Sequence, residues 1–417
     1  MNTRRLLIIS QVYVPDPAAV GQHLADVAET MVQRGWDVTV YTSARGYDDP
    51  SARYPYRETR AGVKVLRFPL SSFGKRSIAV RLVAQVLFMC QATLRALVSG
   101  RIDAILVSTS PPFAGFFGAM LSWIKRAPMT WWVMDINPDQ MVVAGKLPAT
   151  SLLVRVFDWM NRVTLRRAAT VVTLDDFMAE TLRRKVDVGA KMHVIPPWSH
   201  NTSQGGVAGD ANPFRIAHGL QGRFVVMYAG NHALQHPLDT LLDAAKELES
   251  DDRILFVFVG GGAGKASVER RIAEGAKNLL SLPYQPLELL DDCLAAADVH
   301  VVSMGNDMVG IVHPCKIYGA MAAGRPILAI APARSHIGSL IDGGRAGTRV
   351  DHGDTLAAVQ AIQRLFTQSA RPIAAIASSD GPCGPATLSA RAPQQQFCEL
   401  LQREPSPTRR KLSPAIR

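Results

Sequence analysis

The chain has 417 residues, 47% of them hydrophobic and 19% charged, with 46 Lys plus Arg against 35 Asp plus Glu. This length allows two or three domains with full cores, and the composition excludes extensive disorder, a collagen-like repeat and a disulfide scaffold. The net charge of +11 is lopsided: residues 1–200 hold 25 basic and 15 acidic side chains, and residues 201–417 hold 21 and 20. Ser51–Arg101 contains ten basic residues and one acid, Glu58. A basic half beside a near-neutral half points to an anionic surface or substrate.

Along the chain the pattern is strand, turn and helix. Leu6–Ser10 reads as a buried strand, Gly21–Arg34 as an amphipathic helix and Asp37–Thr42 as the next strand. Val63–Phe68, Ala104–Ser108, Thr130–Met134 and Thr170–Leu174 are further apolar runs with helical stretches between most of them. Near-continuous apolar strands alternating with helices predict a parallel sheet covered on both faces. Arg76–Val98 reads as an amphipathic helix rather than a membrane span, because Arg81, Gln85, Gln91 and Arg95 interrupt it and a span needs about 20 nearly uninterrupted apolar residues. No secretory signal is expected, since Met1–Arg5 is followed by only four apolar residues.

His200–Asn212 (HNTSQGGVAGDAN) then breaks the rhythm and reads as a linker. After it the strands resume at Phe224–Tyr228, Leu255–Val259, Leu279–Leu282, Val299–Val302 and Pro326–Ile330. Helices are predicted over Asp239–Leu248, Ala266–Ala276, Pro286–Ala297, Cys315–Ala323 and Asp354–Phe366. The organisation is therefore two α/β domains, 1–199 and 214–368, joined by residues 200–213. Ser378–Pro393 is rich in Ser, Ala, Gly and Pro, Gln394–Gln402 looks helical, and 403–417, with Arg409, Arg410, Lys411 and Arg417, is read as a disordered basic tail.

Few motifs carry chemistry outright. The five cysteines, Cys90, Cys293, Cys315, Cys383 and Cys398, form no CxxC pair and read as reduced, mostly buried thiols of a cytosolic chain. Val259–Lys265 (VGGGAGK) satisfies neither the P-loop nor the GxGxxG spacing. It still places Gly260, Gly261 and Gly262 in a turn that leads from a strand into a helix, a geometry suited to a nucleotide or its phosphates. The first turn, Gln11–His23, lacks a dinucleotide fingerprint, and Gly21 either lets amides approach an anion or serves as a cap. The adjacent acid pairs Asp48–Asp49, Asp175–Asp176, Asp251–Asp252 and Asp291–Asp292 suit turns and helix starts. His232 and His236 have Pro237 after them and no nearby acid, so no metal site is expected. Nucleic acid is not expected as a partner, because the basic residues lack interleaved aromatics. The densest block is Asp307–Ile330 (DMVGIVHPCKIYGAMAAGRPILAI), in which a glycine loop from Gly310 to Pro314 leads into a short helix bearing Lys316.

That block resembles the signature of the retaining sugar-nucleotide glycosyltransferases of the glycosyltransferase 4 family, in the bacterial exopolysaccharide, O-antigen and colanic-acid subgroup. Other pieces agree over about residues 4–368: Pro15–Leu24, Arg34–Val38 (RGWDV), Ser108–Pro112 (STSPP), Asp135–Asp139 (DINPD), Tyr228–Asn231 (YAGN), Leu238–Ala245 and Ala295–Asp298 (AAAD). The sequence departs from the family's two-glutamate donor motif. Gly319 stands at the second position and Gly310 or Ile311 near the first, and no basic residue follows the Gly230–Asn231 loop.

The resemblance implies a GT-B fold, two facing Rossmann-like domains with the active site in an inter-domain cleft, and a C-terminal segment, 369–402, whose helix packs back on the N-terminal domain. It implies an NDP-sugar donor held by Gly230, Asn231, Gly260, Gly261, Gly262, Gly310, His313, Pro314 and Lys316, with no metal and no cofactor. Asp135 is the carboxylate expected to position the acceptor hydroxyl, or else a helix cap. Gly21, His23, Asn137 and Asp139 are further acceptor-side candidates. The basic bias of the N-terminal half implies an acceptor linked to polyprenyl diphosphate, or an oligosaccharide, at an anionic inner-membrane surface. A sugar-nucleotide epimerase of the same fold and a non-catalytic sugar-nucleotide-binding protein are the alternative readings.

Overall fold

The computed structural model describes residues 3–16, 18–46, 51–72, 78–199, 206–342, 347–369 and 392–403. The chain divides into two compact units, Met1–Pro197 with Arg391–Arg417, and Trp198–Ala390. Asp48–Asp49, Arg76, His200–Gly205, Ser378–Arg391, Cys383 and the tail from Glu404 lie outside the described residues.

Unit 1 runs β1 (Arg5–Ile9), α1 (Ala19–Gln33), β2 (Asp37–Ser43), β3 (Arg57–Arg60), β4 (Val63–Phe68), α2 (Ile78–Val98), β5 (Ala104–Ser108), α3 (Ala114–Lys125), β6 (Met129–Trp132), α4 (Asp139–Val143), α5 (Leu152–Arg167), β7 (Thr170–Thr173), α6 (Asp176–Lys185) and β8 (Met192–Val194). Its sheet has the order β3-β4-β2-β1-β5-β6-β7-β8. All neighbours are parallel except β3 with β4, which corrects the expectation of a wholly parallel sheet. Arg57–Arg60 (RETR) carries no apolar residue, so hydrophobic periodicity could not reveal it. Glu58, the single acid of the basic stretch, pairs at 2.6 Å with the fully buried Arg67, which also donates to Val14 O at 3.0 Å.

Successive strand residues face opposite sides, and the sheet of unit 1 is covered accordingly. On one side Gly118 brings α3 onto Val107 and Met129, where a Cβ would lie 2.6 and 2.8 Å from their side chains. On the other, Trp132 meets Phe397 with ring centroids 4.2 Å apart. Phe397 belongs to the last helix, Ala392–Gln402, which is tied to α1 through Gln394, donating to Asp26 O and Thr30 Oγ1 at 3.1 and 2.9 Å. Asp175 caps α6, accepting from Met178 N at 2.8 Å, as the acid pair there suggested.

Unit 2 runs α7 (Pro213–His218), β9 (Phe224–Ala229), α8 (Asp239–Glu247), β10 (Ile254–Val259), α9 (Lys265–Ala273), β11 (Leu279–Leu282), α10 (Leu290–Ala295), β12 (Val299–Ser303), α11 (Lys316–Ala322), β13 (Ile327–Ile330), α12 (His336–Asp342), β14 (Gly347–Val350) and α13 (Thr355–Ser369), and the helix Ala392–Gln402 is α14. Its sheet, β11-β10-β9-β12-β13-β14, is parallel throughout. Phe224, Val226, Tyr228 and Phe258 face a core with α8 and α13, while Val225, Met227 and Val257 face Phe214 and Cys293. The composition-based linker is too long. Gly206–Asn212 is described as part of unit 2, and Asn212 caps α7 by accepting from Arg215 N at 3.0 Å. Arg215, almost wholly buried, reaches Asp298 at 2.6 Å, so the Asp of the AAAD run anchors a helix.

Candidate active site

The carboxyl ends of β9 and β10 are joined backbone to backbone. Gly230, Gly260 and Gly262 have φ of 119°, 129° and 125°, a region open to glycine and strained for other residues. A Cβ on Gly260 would sit 2.1 Å from Gly230 O, and one on Gly262 would sit 2.3 Å from Asn231 Oδ1. His232 N donates to Gly261 O at 2.7 Å, and Gly264 N donates to His232 O at 2.6 Å. Two of the expected phosphate-binding amides are already engaged: Gly230 N donates to Val259 O at 2.9 Å and Gly260 N to Leu282 O at 3.0 Å. The glycines therefore serve close loop packing first. Lys265 closes the turn, donating to Gly260 O and Leu282 O at 2.7 and 2.6 Å.

Lys316, the first residue of α11, reaches into this junction. Its Nζ donates to the Tyr228 hydroxyl and to Asn231 O at 3.1 Å, and lies 3.9 Å from the Tyr228 ring centroid. Burial lowers its pKa to about 7. His232 beside it is fully buried, and burial, reinforced by the charges of Lys316 and Lys265, holds its imidazole near 4. His236 is pushed well below the usual histidine range by the same burial.

On the other side of α11, Gly310 turns its loop at φ 71°. His313 Nε2 and His336 Nε2 both lie 3.0 Å from the Tyr318 hydroxyl, which ties that loop to α11 and the start of α12. Pro314 is buried. At Gly319 a Cβ would meet Leu294 Cδ1 at an ordinary 3.5 Å, so packing does not demand glycine at this departure from the expected two-glutamate motif.

In unit 1, Asp135 follows β6 with its amide on Thr109 Oγ1 at 3.3 Å, and Met134 N shares that oxygen at 3.2 Å. Burial raises the Asp135 carboxyl to about 6. It caps no helix, since α4 starts at Asp139 with Pro138 before it. The remaining acceptor-side candidates are mostly structural. The Gly21 amide donates to Ala18 O at 2.9 Å, and a Cβ there would lie 3.0 Å from Tyr13 Cα, so Gly21 admits the neighbouring backbone rather than an anion. His23 is buried against Trp132, centroids 6.3 Å apart. Asp139 pairs with Lys185 at 2.8 Å, and Lys185 also binds Asp158 at 2.7 Å. Asn137 Nδ2 donates to Gln140 Oε1 at 3.0 Å.

Sequence reasoning missed Tyr228, Thr109, Tyr318 and His336. Tyr228 stood at the end of a strand and at the head of the YAGN run, and a phenol two residues before Gly230 was the available signal. Cys90 is exposed and Cys315 half-buried, whereas Cys293 and Cys398 are buried, so the expectation of mostly buried thiols holds for two of the four described.

Residues 18–198 match a glycosyl transferase 4-like domain, and residues 223–368 match the glycosyl transferases group 1 family. The probable glycosyltransferase WbjE of Pseudomonas aeruginosa is 24% identical over 366 residues, covering 87% of this chain and 89% of the relative. The putative colanic acid biosynthesis glycosyl transferase WcaI of Escherichia coli K12 is 23% identical over 352 residues, covering 81% and 86%. Among solved structures, Anabaena Alr3699/HepE in complex with UDP and glucose superposes with a TM-score of 0.67 at 18% identity, covering 96% of this chain and 99% of that one. WaaG, a glycosyltransferase involved in lipopolysaccharide biosynthesis, gives 0.66 at 14% identity, covering 95% and 99%. The architecture is that of GT-B glycosyltransferases. With residues 18–198 and 223–368 matched in turn, the chain belongs to the glycosyltransferases built from a glycosyl transferase 4-like domain followed by a group 1 domain.

Proposed function

We propose that this enzyme is a retaining glycosyltransferase that moves a sugar from an NDP-sugar to a lipid-linked saccharide in cell-surface polysaccharide synthesis, on the cytoplasmic face of the inner membrane. One observation carries the donor side: a lysine from α11 held where two glycine loops meet at the carboxyl ends of β9 and β10. Ligands of open α/β sheets bind at that end of the strands. The assignment of WcaI to colanic acid biosynthesis supports a polysaccharide product, and the complex of HepE with UDP-glucose supports a sugar-nucleotide donor.

In the reaction so read, the bond from the anomeric carbon to the leaving phosphate lengthens into an oxocarbenium-like state. Lys316 stabilises the charge that grows on the diphosphate, and no metal is needed for that step. The acceptor oxygen attacks from the face the phosphate leaves, and its proton passes to a phosphate oxygen, which retains the configuration. Asp135, ionised above about pH 6, accepts a hydrogen bond from the acceptor hydroxyl and orients it.

The membrane part rests on a layer of three helices in unit 1. α3 packs between α2 and α5, and the three contribute eleven of the twenty exposed large hydrophobics among the described residues. They include Val83, Leu94 and Val98 of α2, Trp123 of α3, and Leu152 and Trp159 of α5. With the C-cap Arg126, these helices carry eight cations and one acid, Asp158, which is paired with Arg162 at 2.7 Å. Apolar and indole side chains beside excess positive charge suit the interface of an anionic bilayer. Ala79–Val98 is long and apolar enough to cross a membrane by length and composition. However, Ala84, Phe88, Met89, Ala92 and Ala96 form a buried stripe that packs inward, which supports docking rather than crossing.

The test is incubation with UDP-, GDP- and dTDP-sugars, with and without a polyprenyl-diphosphate-linked saccharide. Acceptor-dependent release of the nucleoside diphosphate is expected. Conversion of the sugar nucleotide without an acceptor would instead indicate epimerase chemistry.

A further inference from the structure

Lysine is a flexible point charge, yet the ammonium of Lys316 is fixed from several directions by residues far away in sequence. Tyr228 lies in β9, 88 residues upstream, with its side chain wholly buried. Its ring is clamped by His232 at 4.8 Å and Phe258 at 6.5 Å between centroids, so it cannot swing away. The hydroxyl accepts an N–H from Lys316 and donates its own proton to Asn231 O at 3.2 Å. Asn231 O accepts a second N–H from Lys316 at 3.1 Å. The ring face lies under the ammonium at 3.9 Å, an arrangement in which the aromatic quadrupole offsets part of the lost hydration. An ammonium has three donors. Two are engaged by these oxygens, which leaves one to meet an anion.

We propose that Tyr228 is a positioning residue for donor binding: its ring and hydroxyl hold the Lys316 ammonium in place for the diphosphate of a nucleoside diphosphate. This rests on the reading of Lys316 as the phosphate ligand and adds a mechanism for it. The ordering that a free lysine would undergo on binding is already complete, so more of the contact appears as affinity. The neutral forms of His232 and His236 also matter, because a second cation beside Lys316 would discharge it. Their low pKa values keep them neutral around pH 7. The other titratable groups around the pair are Tyr284, Cys315 and Lys265.

Isothermal titration of the full chain with UDP, GDP and dTDP, from pH 6 to pH 9, tests this in wild type, Tyr228→Phe, Lys316→Ala and the double variant. Tyr228→Phe keeps the ring packing on Phe258 and His232 and removes only the hydroxyl. It should weaken binding of the preferred diphosphate by roughly 5- to 10-fold. The pH at which affinity falls should move lower, because the ammonium has lost an acceptor. In the Lys316→Ala background Tyr228→Phe should have no further effect. Additive losses in the double variant, or a Tyr228→Phe protein with unchanged affinity and pH profile, would overturn the role of Tyr228 alone. Wild-type affinity in Lys316→Ala would overturn the phosphate assignment itself and this inference with it.

Discussion

Units 1 and 2 are both doubly wound sheets, yet they keep their chemistry in different places. Unit 2 is plain outside, with six exposed large hydrophobics scattered among its described residues, and its polar groups converge inward on Lys316, Tyr228 and the buried histidines. Unit 1 has the reverse arrangement: a bare carboxylate, Asp135, at the strand ends, and apolar and cationic side chains on the outer faces of α2, α3 and α5. One architecture thus supports two tasks, and loops and surfaces rather than topology distinguish them. The +11 charge belongs largely to unit 1, because residues 1–200 hold 25 basic and 15 acidic side chains whereas residues 201–417 hold 21 and 20.

The largest effect is expected at Asp135. Asp135→Asn should lower kcat by about 10²-fold, in the range for loss of a group that orients the acceptor hydroxyl, and remove the rise in activity through about pH 6. The same change should raise thermal stability at pH 7 by roughly 2–5 °C. A carboxyl whose folded pKa exceeds its unfolded value disfavours the fold increasingly as pH rises from about 3.8 to about 6, so the gain should vanish at pH 4. Differential scanning calorimetry at the two pH values checks it.

A smaller effect should come from the helical layer. Trp123→Glu combined with Leu94→Glu should reduce partition onto anionic liposomes about tenfold in flotation, while transfer to a detergent-solubilised acceptor stays near wild type. Wild-type protein that fails to float at low salt would remove the docking surface from the account.

The smallest effect is one of stability in unit 2. His232 and His300 have folded pKa values near 4, both set by burial. Depressed histidines leave the fold fully stabilised above about pH 6.5 and progressively less so as pH falls toward 4, by a few kcal/mol at most. Replacing His300, whose Nε2 lies 3.0 Å from Leu294 O, with Asn should flatten that acid limb in denaturant titrations.

The sheet of unit 2 was legible because most of its strands are short, mainly apolar runs bounded by turns: Leu279–Leu282 matched to the residue despite Ser281, and Phe224–Tyr228 missed by one. The polar edge strand β3 (RETR), the three-residue β8 (MHV) and β14 (GTRV) were not, since none of them carries an apolar run that stands out from its surroundings. Lys316 was legible through the block that carries it. Its contacts were not: Tyr228 and Asn231 stand in the YAGN run and Asn231 among the expected donor residues, but they come from a strand end far upstream, and only the fold brings them to Lys316. Asp139 and Gly21 show the opposite failure. Each has a residue type suited to chemistry, but Lys185 claims one and the Tyr13 backbone explains the other.

The central claim is that donor binding resides in unit 2 and acceptor positioning in unit 1. Donor affinity and turnover measured side by side on Lys316→Ala and Asp135→Asn test it most directly. The account predicts that Lys316→Ala loses donor affinity by about 10²-fold or more, whereas Asp135→Asn binds the donor as wild type does and fails only in transfer. Equal loss of donor affinity in both variants, or full turnover by Lys316→Ala, would contradict it.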